Sequence, residues 1–248
     1  MTAAKTPSVL ILGAHSDIAR PLANIYAQDG YEVLLAARST EGLQATAGDI
    51  SIRSGRAAKI REFDVLDTNS HGLFVGSFDE LPDTVISLIG LMSSQADAQA
   101  DFSAAELMIR SNYVGMVSVL GEFANRMEKR GSGTIIGVSS VAGDRGRATN
   151  YIYGSAKAGF SAFMSGLRNR LFRKGVMVIT IKPGFIRTRM TEGLDLPGIL
   201  TAGPEEIARA IRGAQKNKRL VVYHRPIWRL ISQIIRALPE RVFARMKL

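Results

Sequence analysis

The 248-residue chain contains no cysteine, a single tryptophan and only three histidines. The absence of cysteine excludes disulfide bonds and thiolate chemistry, and we predict no metal site. The first apolar run, at residues 9–13, is too short for a membrane span or for the core of a signal peptide. We therefore expect a cytoplasmic protein.

Acidic residues are scarce relative to basic ones, with 22 against 32, so the formal net charge is +10. Such a surplus suits a phosphorylated ligand, an anionic membrane surface or nucleic acid. No zinc-finger spacing or aromatic RNA-binding signature occurs, so no nucleic-acid partner is predicted. Half of the net charge, +5, falls in residues 225–248, so part of the basic character belongs to the C-terminal tail.

Short runs of strand-forming residues alternate with longer segments in which apolar residues recur at helical spacing. The predicted strands cover residues 9–12, 32–36, 59–63, 85–88, 133–139 and 176–182. The predicted helices cover residues 18–28, 40–54, 103–129 and 150–174. Most strands are apolar on both faces, as in a parallel sheet with helices on both sides. The pattern predicts an α/β fold with a doubly wound parallel sheet of the Rossmann type.

We expect one Rossmann-type domain over residues 1–224 and a basic amphipathic helical extension over residues 225–248. Within the domain, residues 187–203 contain four glycine or proline breakers and little periodicity. This segment is therefore predicted to be a mobile loop, or a set of short helices, over a substrate site. We call residues 187–203 the substrate loop.

Apolar residues of the extension recur at helical spacing. They are Ile227, Leu230, Ile231, Ile234, Ile235 and Leu238. Such a helix could lie on an anionic lipid surface, or it could pack on the protein's own body or across a dimer. Surface helices usually pack, so we expect packing and keep peripheral membrane contact as the alternative.

A candidate nucleotide site begins where the first strand ends. Gly13 permits a sharp turn there, and His15 and Ser16 lead through Asp17 and Ile18 into a helix whose N-terminus can face a pyrophosphate. Asp17 occupies the place of the second glycine in the usual fingerprint, where a carboxylate would repel a diphosphate. We therefore expect Asp17 to cap the helix instead.

The second strand is followed by Arg38, with no acid between residues 33 and 40. An acid at this place binds the ribose hydroxyls of NAD, whereas an arginine accommodates the 2′-phosphate of NADP. The predicted cofactor is therefore NADP(H), with His15 assisting on the phosphate. Asp64 and Val65 follow the third strand. Asp64 could accept from the adenine amino group or cap a helix starting near residue 67, and both alternatives stay open.

The catalytic candidates are Tyr153 and Lys157, which are four residues apart on a predicted helix and so share one face. A neighbouring ammonium should lower the pKa of a phenol from its usual value of about 10. Ser140 lies at the end of the preceding strand, and its hydroxyl could hold a substrate oxygen while Tyr153 exchanges a proton with it.

With these motifs in this order, residues 9–189 resemble the short-chain dehydrogenase/reductase family. The resemblance implies that Ser140, Tyr153 and Lys157 are catalytic and that Lys157 also binds the nicotinamide ribose. It further implies that Asn112 supports a proton relay and that family members associate as homo-oligomers.

The resemblance also extends to two cofactor segments. The family's Pro-Gly segment corresponds to Pro183 and the residues after it, which would place Ile186 and Thr188 near the nicotinamide amide. Of the family's Asn-Asn-Ala-Gly after the fourth strand, only Gly90 is kept.

A narrower similarity is to the branch containing decaprenylphosphoryl-2-keto-erythro-pentose reductase. It is carried by residues 13–18, 64–71, 139–143, 151–159 and 187–190 and by the tail. It implies a keto-sugar substrate, either a small molecule or one linked to a polyprenyl phosphate. We therefore expect an NADPH-dependent reduction of a ketone to an alcohol. The alternative is a non-catalytic NADP(H)-binding sensor or scaffold on the same fold.

Overall fold

Seven parallel strands form the central sheet of the computed structural model, which describes residues 5–246. Two further short strands pair with each other beside it. The strands are β1 (Ser8–Leu12), β2 (Glu32–Ala37), β3 (Lys59–Glu62), β4 (Thr84–Ser87), β5 (Gly133–Val138), β6 (Val176–Lys182), β7 (Phe185–Ile186), β8 (Thr201–Ala202) and β9 (Val221–Tyr223). The predicted doubly wound α/β fold is confirmed.

The strand order in the main sheet is β3-β2-β1-β4-β5-β6-β9, and every neighbouring pair is parallel. The chain therefore runs outward from β1 in one direction and then from β4 in the other. The carboxyl ends of β1 and β4 border the crevice at which doubly wound sheets bind their ligands.

Ten α-helices are described within residues 5–246. They are α1 (Ala19–Gln28), α2 (Leu43–Ser54), α3 (His71–Gly76), α4 (Gln95–Ala100), α5 (Phe102–Ile109), α6 (Gly115–Arg130), α7 (Tyr151–Leu171), α8 (Pro204–Lys216), α9 (Ile227–Ala237) and α10 (Glu240–Phe243). One face of the sheet packs on α1, α2 and α8, and the other packs on α6 and α7. Burial on both faces explains why the central strands are apolar throughout.

The prediction of one continuous helix over residues 103–129 is wrong in its middle. Between α5 and α6 the chain forms a π-helical turn over Arg110–Val114. Such a turn widens the helix by one residue and often marks a functional position. Apolar spacing alone did not reveal it, because the spacing continues on both sides of the turn.

Helix α8 and strand β9 were absent from the prediction. Signals for α8 were present: Pro204 occupies the first turn, and Glu206 accepts a hydrogen bond from the Gly203 amide at 3.1 Å. Strand β9 has only three residues and follows a basic segment, so nothing local distinguishes it from a loop. It pairs with β6 and extends the sheet by one strand.

The tail helix α9 does not bury its predicted apolar stripe completely. The residues buried against the body are Trp228 and Ser232, which do not belong to that stripe, and Ile231, Ile235 and Leu238 of the stripe are half-buried. Ile227, Leu230 and Ile234 are about half exposed, at 45%, 55% and 54%. The prediction that the whole stripe packs is therefore wrong for its outer row. Of the basic tail residues, Lys247 lies outside the described residues.

None of the helices described within residues 5–246 combines the length and the apolar character that crossing a membrane requires.

Replacing Gly115 by alanine should lower the free energy of unfolding by about 1–3 kcal/mol, because overpacking forces the backbone to move. A Cβ at Gly115 would lie 2.0 Å from the backbone oxygen of Val65. At Gly121 in the same helix, no described atom outside that helix lies within 4 Å of the added methyl, so Gly121→Ala should stabilise by up to about 1 kcal/mol. Urea unfolding of both variants measures the difference, and equal effects would contradict this packing.

Candidate active site

A cavity of about 1060 Å³ opens at the carboxyl ends of the sheet strands. Its volume lies at the upper end of the range for ligand pockets. Residues that directly follow the strands line it, among them Gly13 after β1, Arg38 after β2 and Ser140 after β5. Parallel strands bring these positions to one edge of the sheet, as the sequence predicted.

The turn after β1 has the geometry of a phosphate-binding loop. Gly13 has a φ of +84°, and a Cβ there would lie 2.9 Å from Ile89 Cγ1, so no side chain fits. Ser16 and Ile18 line the cavity, and Ile18, directly before α1, provides no side-chain cap. The Ile18 and Ala19 amides donate to Ser16, whereas the Asp17 and Arg20 amides have no partner among the described residues and so suit an anion.

Arg38 and His15 lie together beside this turn. The exposed side chain of Arg38 lines the cavity, and no described acid forms an ion pair with it. His15 Nε2 hydrogen-bonds the Ser39 carbonyl at 2.8 Å, which ties the turn to the end of β2. A free guanidinium at this place can bind a phosphate on the adenosine ribose.

The three catalytic candidates meet at the opposite end of the cavity. Ser140 follows β5, and its hydroxyl lies close enough to the phenol of Tyr153, in the first turn of α7, to influence its pKa. The same hydroxyl accepts from the Ala142 amide at 3.1 Å. One turn further along α7, Lys157 is buried, and its Nζ donates to the Val138 carbonyl at 3.3 Å. Lys157 Nζ lies 5.7 Å from the centre of the Tyr153 ring.

Two glycines hold this arrangement together. A Cβ at Gly143 would lie 2.7 Å from the Ala158 nitrogen, and a Cβ at Gly154 would lie 2.8 Å from the Ala142 carbonyl oxygen. The turn after β5 and the start of α7 therefore pack backbone against backbone. This contact sets the separation between Ser140 and Tyr153.

The pKa values differ from the expectation for this pair. Burial raises the pKa of Tyr153 to about 12, and the nearby Ser140 hydroxyl only partly opposes that shift. Burial also lowers the pKa of Lys157 to about 8. The prediction that the ammonium lowers the phenol pKa is wrong, because desolvation decides the shift and Lys157 does not contribute to it. At neutral pH Tyr153 is a neutral acid that can donate a proton.

Asn112 lies behind the cavity wall rather than in it. It belongs to the π-helical turn, is fully buried, and donates from Nδ2 to the carbonyls of Leu91 at 2.6 Å and Met108 at 2.8 Å. Its Oδ1 lies 3.5 Å from the position of a Cβ on Gly90, and Lys157 Nζ lies 3.6 Å from the same point. Gly90 therefore leaves room for Asn112 and Lys157 to approach each other.

Known proteins with similar sequences are oxidoreductases. A sequence profile for short chain dehydrogenases matches residues 7–196. An uncharacterized oxidoreductase of Mycobacterium tuberculosis is 37% identical over 241 residues, which cover 96% of each chain. An uncharacterized oxidoreductase of Streptomyces coelicolor is 31% identical over 242 residues, 96% of this chain and 95% of that one.

The chain belongs to the short chain dehydrogenase family.

Among solved structures, a short-chain dehydrogenase from Sphingobium yanoikuyae in complex with NADPH superposes with a TM-score of 0.81. It is 24% identical, and the match covers 94% of this chain and 97% of that one. Family membership makes this protein an oxidoreductase, and the structural similarity shows that its fold is that of the family.

Most of the predicted cofactor residues line the cavity, but not all of them do. Val65, Gly90, Pro183, Ile186 and Thr188 all line the cavity.

Asp64 does not line the cavity. Its Oδ1 accepts from the Leu66 amide at 3.0 Å and so closes a turn. The helix that follows, α3, begins at His71 rather than near residue 67, so the alternative of capping that helix is wrong.

Asp17 does not cap α1, which corrects the expectation for this residue. Its carboxylate accepts from the Arg189 amide at 2.8 Å and from Arg189 Nε at 2.9 Å. Arg189 also donates to the His15 carbonyl. The acid in the glycine-rich turn is therefore neutralised by an arginine from the substrate loop, a long-range pairing that local sequence could not reveal.

The sequence also missed the part of the cavity wall that the tail supplies. Trp228 lines the cavity, donates from Nε1 to the Leu200 carbonyl at 3.0 Å and packs edge-on against Phe185. Arg225 donates to the Glu206 carboxylate and to the Ile199 carbonyl. The start of the tail therefore holds the substrate loop, which forms short helical turns as predicted. In the sequence, the only indication that the tail reaches the cavity was its single tryptophan next to a polar segment.

The Asp17→Asn variant should expose the substrate loop to trypsin, which cuts after Arg187 and Arg189. Losing the ion pair and its charge-assisted hydrogen bonds weakens loop closure by about 1 kcal/mol, so cleavage should be roughly fivefold faster. Asp195→Asn, at an exposed carboxylate of the same loop, is the control and should cleave like the wild type. Equal cleavage of Asp17→Asn and the wild type would show that the pair does not hold the loop.

Proposed function

We propose that this dehydrogenase reduces a ketone to an alcohol with NADPH as the reductant and Tyr153 as the proton donor. The observation that carries the proposal is the meeting of Ser140, Tyr153 and a buried Lys157 at one end of a cavity. The phosphate-binding turn at Gly13 and the unpaired Arg38 lie at its other end. A sensor or scaffold has no physical need for both ends together.

NADP(H) fits the residues that line the cofactor end. The positive φ of Gly13 and the uncapped start of α1 suit the pyrophosphate, and Arg38 with His15 suits the 2′-phosphate. Ile186 and Thr188 would face the nicotinamide amide, and Lys157 would bind the ribose hydroxyls. When bound, NADPH supplies a hydride to the carbonyl carbon.

The protein's own residues would handle the oxygen and its proton. The Ser140 hydroxyl orients the carbonyl oxygen, and the Tyr153 phenol donates its proton as negative charge develops there. Lys157, which is protonated below a pKa of about 8, stabilises the phenolate that remains. Asn112, hydrogen-bonded behind Gly90, would support the return of a proton from solvent.

For the substrate we propose a keto-sugar, including forms linked to a polyprenyl phosphate. The branch similarity carries this identification, and the cavity is compatible with it. Phe185, Met190, Leu194 and Trp228 supply apolar wall, as a substrate with a lipid portion would require. The expected homo-oligomer rests on the family resemblance, and sedimentation equilibrium would test it.

Tyr153→Phe should abolish NADPH oxidation in the presence of keto-sugars, because the proton donor is lost, while NADPH affinity stays within about threefold of the wild type. The control is Tyr31→Phe, at a tyrosine that does not line the cavity. Turnover is followed at the nicotinamide absorbance, and binding is followed by fluorescence titration. Undiminished turnover in Tyr153→Phe would refute the role of Tyr153. Equal affinity for NADH and NADPH would refute the role of Arg38.

We also propose that the outer face of α9 rests on an anionic lipid surface. Ile227, Leu230 and Ile234 form an exposed apolar row, and the same helix carries the exposed Arg229 and Arg236. This pairing of apolar and basic residues is typical of helices that lie in the interface of an anionic bilayer. The inner face of α9 contributes Trp228 to the cavity, so such contact would bring the site close to a lipid-borne substrate.

The variant with Ile227, Leu230 and Ile234 all changed to serine should lose co-sedimentation with vesicles containing phosphatidylglycerol. It keeps Trp228 and so should retain the fold. Ile52→Ser with Leu73→Ser, at the exposed apolar residues of α2 and α3, is the control and should sediment like the wild type. Sedimentation of the triple variant at the wild-type level would end the membrane proposal, as would equal binding of the wild type to pure phosphatidylcholine vesicles.

A further inference from the structure

Beside the catalytic residues, the cavity has polar side chains without partners. Nine buried side-chain atoms lack a hydrogen-bond partner among the described residues, and four of them belong to residues that line the cavity: Ser93 Oγ, Gln95 Nε2, Arg147 Nε and Asn150 Oδ1. Buried polar atoms normally have partners, so these four residues could gain theirs from a ligand once their side chains turn towards the cavity.

Arg147 is the one cation in this cavity without an assigned task. The other cationic side chains that line it are Arg38, Lys157 and Arg189, and the one carboxylate is Asp17. Arg38 suits the cofactor phosphate, Lys157 belongs to the catalytic set, and Arg189 is paired with Asp17.

The nearest acid does not compensate Arg147. Asp144 is close enough to favour the charged guanidinium but forms no ion pair with it. Its Oδ1 is bound to Lys182 Nζ at 2.5 Å, and its buried Oδ2 has no partner among the described residues. Burial lowers the pKa of Arg147, with Asp144 opposing the shift. A partly buried guanidinium without its own carboxylate is costly unless an anion joins it.

The three neutral side chains of this group match hydroxyl groups. Gln95 Oε1 accepts from the Ile152 amide at 3.2 Å, which leaves Gln95 Nε2 as a free donor. Asn150 precedes α7 but does not cap it, so its Oδ1 is a free acceptor. The Ser93 hydroxyl can act in either role. A donor, an acceptor and a hydroxyl together suit a polyhydroxylated compound better than an apolar one.

We propose that Arg147 binds an oxoanion of the substrate, a carboxylate or a phosphate ester, while Ser93, Gln95 and Asn150 bind its hydroxyl groups. This inference deepens the proposed function and rests on it, because it describes the part of the substrate that lies beside the reacting carbonyl. The substrate class is then a hydroxylated ketone with a negative charge. A guanidinium suits either anion, since its planar donors match both bidentately.

The test is calorimetric titration of the NADP⁺-saturated protein, in which no ketone is reduced. Two pairs of probes separate the two anions: D-ribulose 5-phosphate against D-ribulose, and 2-keto-D-gluconate against D-fructose. At least one anion should bind about tenfold or more tightly than its neutral partner, as expected for a charge-assisted pair in a buried site. The pair that shows the preference identifies the phosphate or the carboxylate.

Arg147→Met should remove this preference while leaving the neutral probe unaffected, and Arg147→Lys should keep part of it. Arg219→Met is the matched control, because Arg219 is exposed and does not line the cavity. Thermal unfolding confirms that each variant is folded. Equal affinity of the wild type for charged and neutral probes would overturn the proposal. So would a preference that persists in Arg147→Met, or no detectable binding of either anion.

The outcomes separate this inference from the proposed function. If no ketone is reduced but anion binding depends on Arg147, the reductase assignment fails and the anion site stands. If ketones are reduced and Arg147→Met discriminates between the probes as the wild type does, the anion site fails and the reductase assignment stands.

Discussion

The contact between the turn after β5 and the first turns of α7 is the constraint on which the site depends. Gly143 and Gly154 have no side chains, so two backbone segments approach to van der Waals distance. Ser140 lies on one segment and Tyr153 on the other, so this approach brings the hydroxyl close to the phenol. A side chain at either glycine would clash with the facing backbone and push the two segments apart.

Burial controls the electrostatics of the site more than charge pairing does. It raises the pKa of Tyr153 and lowers that of Lys157, so near neutrality the phenol keeps its proton and the amine stands close to its titration point. A neutral phenol next to a cation suits proton donation to a carbonyl that gains negative charge. The same desolvation acts on Arg147, because a partly buried guanidinium needs an anion and no described acid forms an ion pair with it.

Segments far apart in the chain close the cavity. Asp17 after β1 holds Arg189 of the substrate loop, and Trp228 and Arg225 hold the other end of the same loop through backbone carbonyls. The C-terminal helix therefore contributes to the wall of the site as well as to the surface. This dual position explains why α9 presents apolar residues on two sides, with Trp228 inward and Leu230 outward.

The alternation of strands and helices, the parallel sheet and the positions of Ser140, Tyr153 and Lys157 were determined by the sequence alone, because each depends on local spacing along one element. Tertiary structure decided what depends on distant partners: Asp17 pairs with Arg189 instead of capping α1, and Trp228 lines the cavity. It also decided the pKa of Tyr153, since desolvation depends on everything packed around the phenol. Local sequence records which groups are present, but only the packed chain fixes how far each is removed from water and which charge it meets.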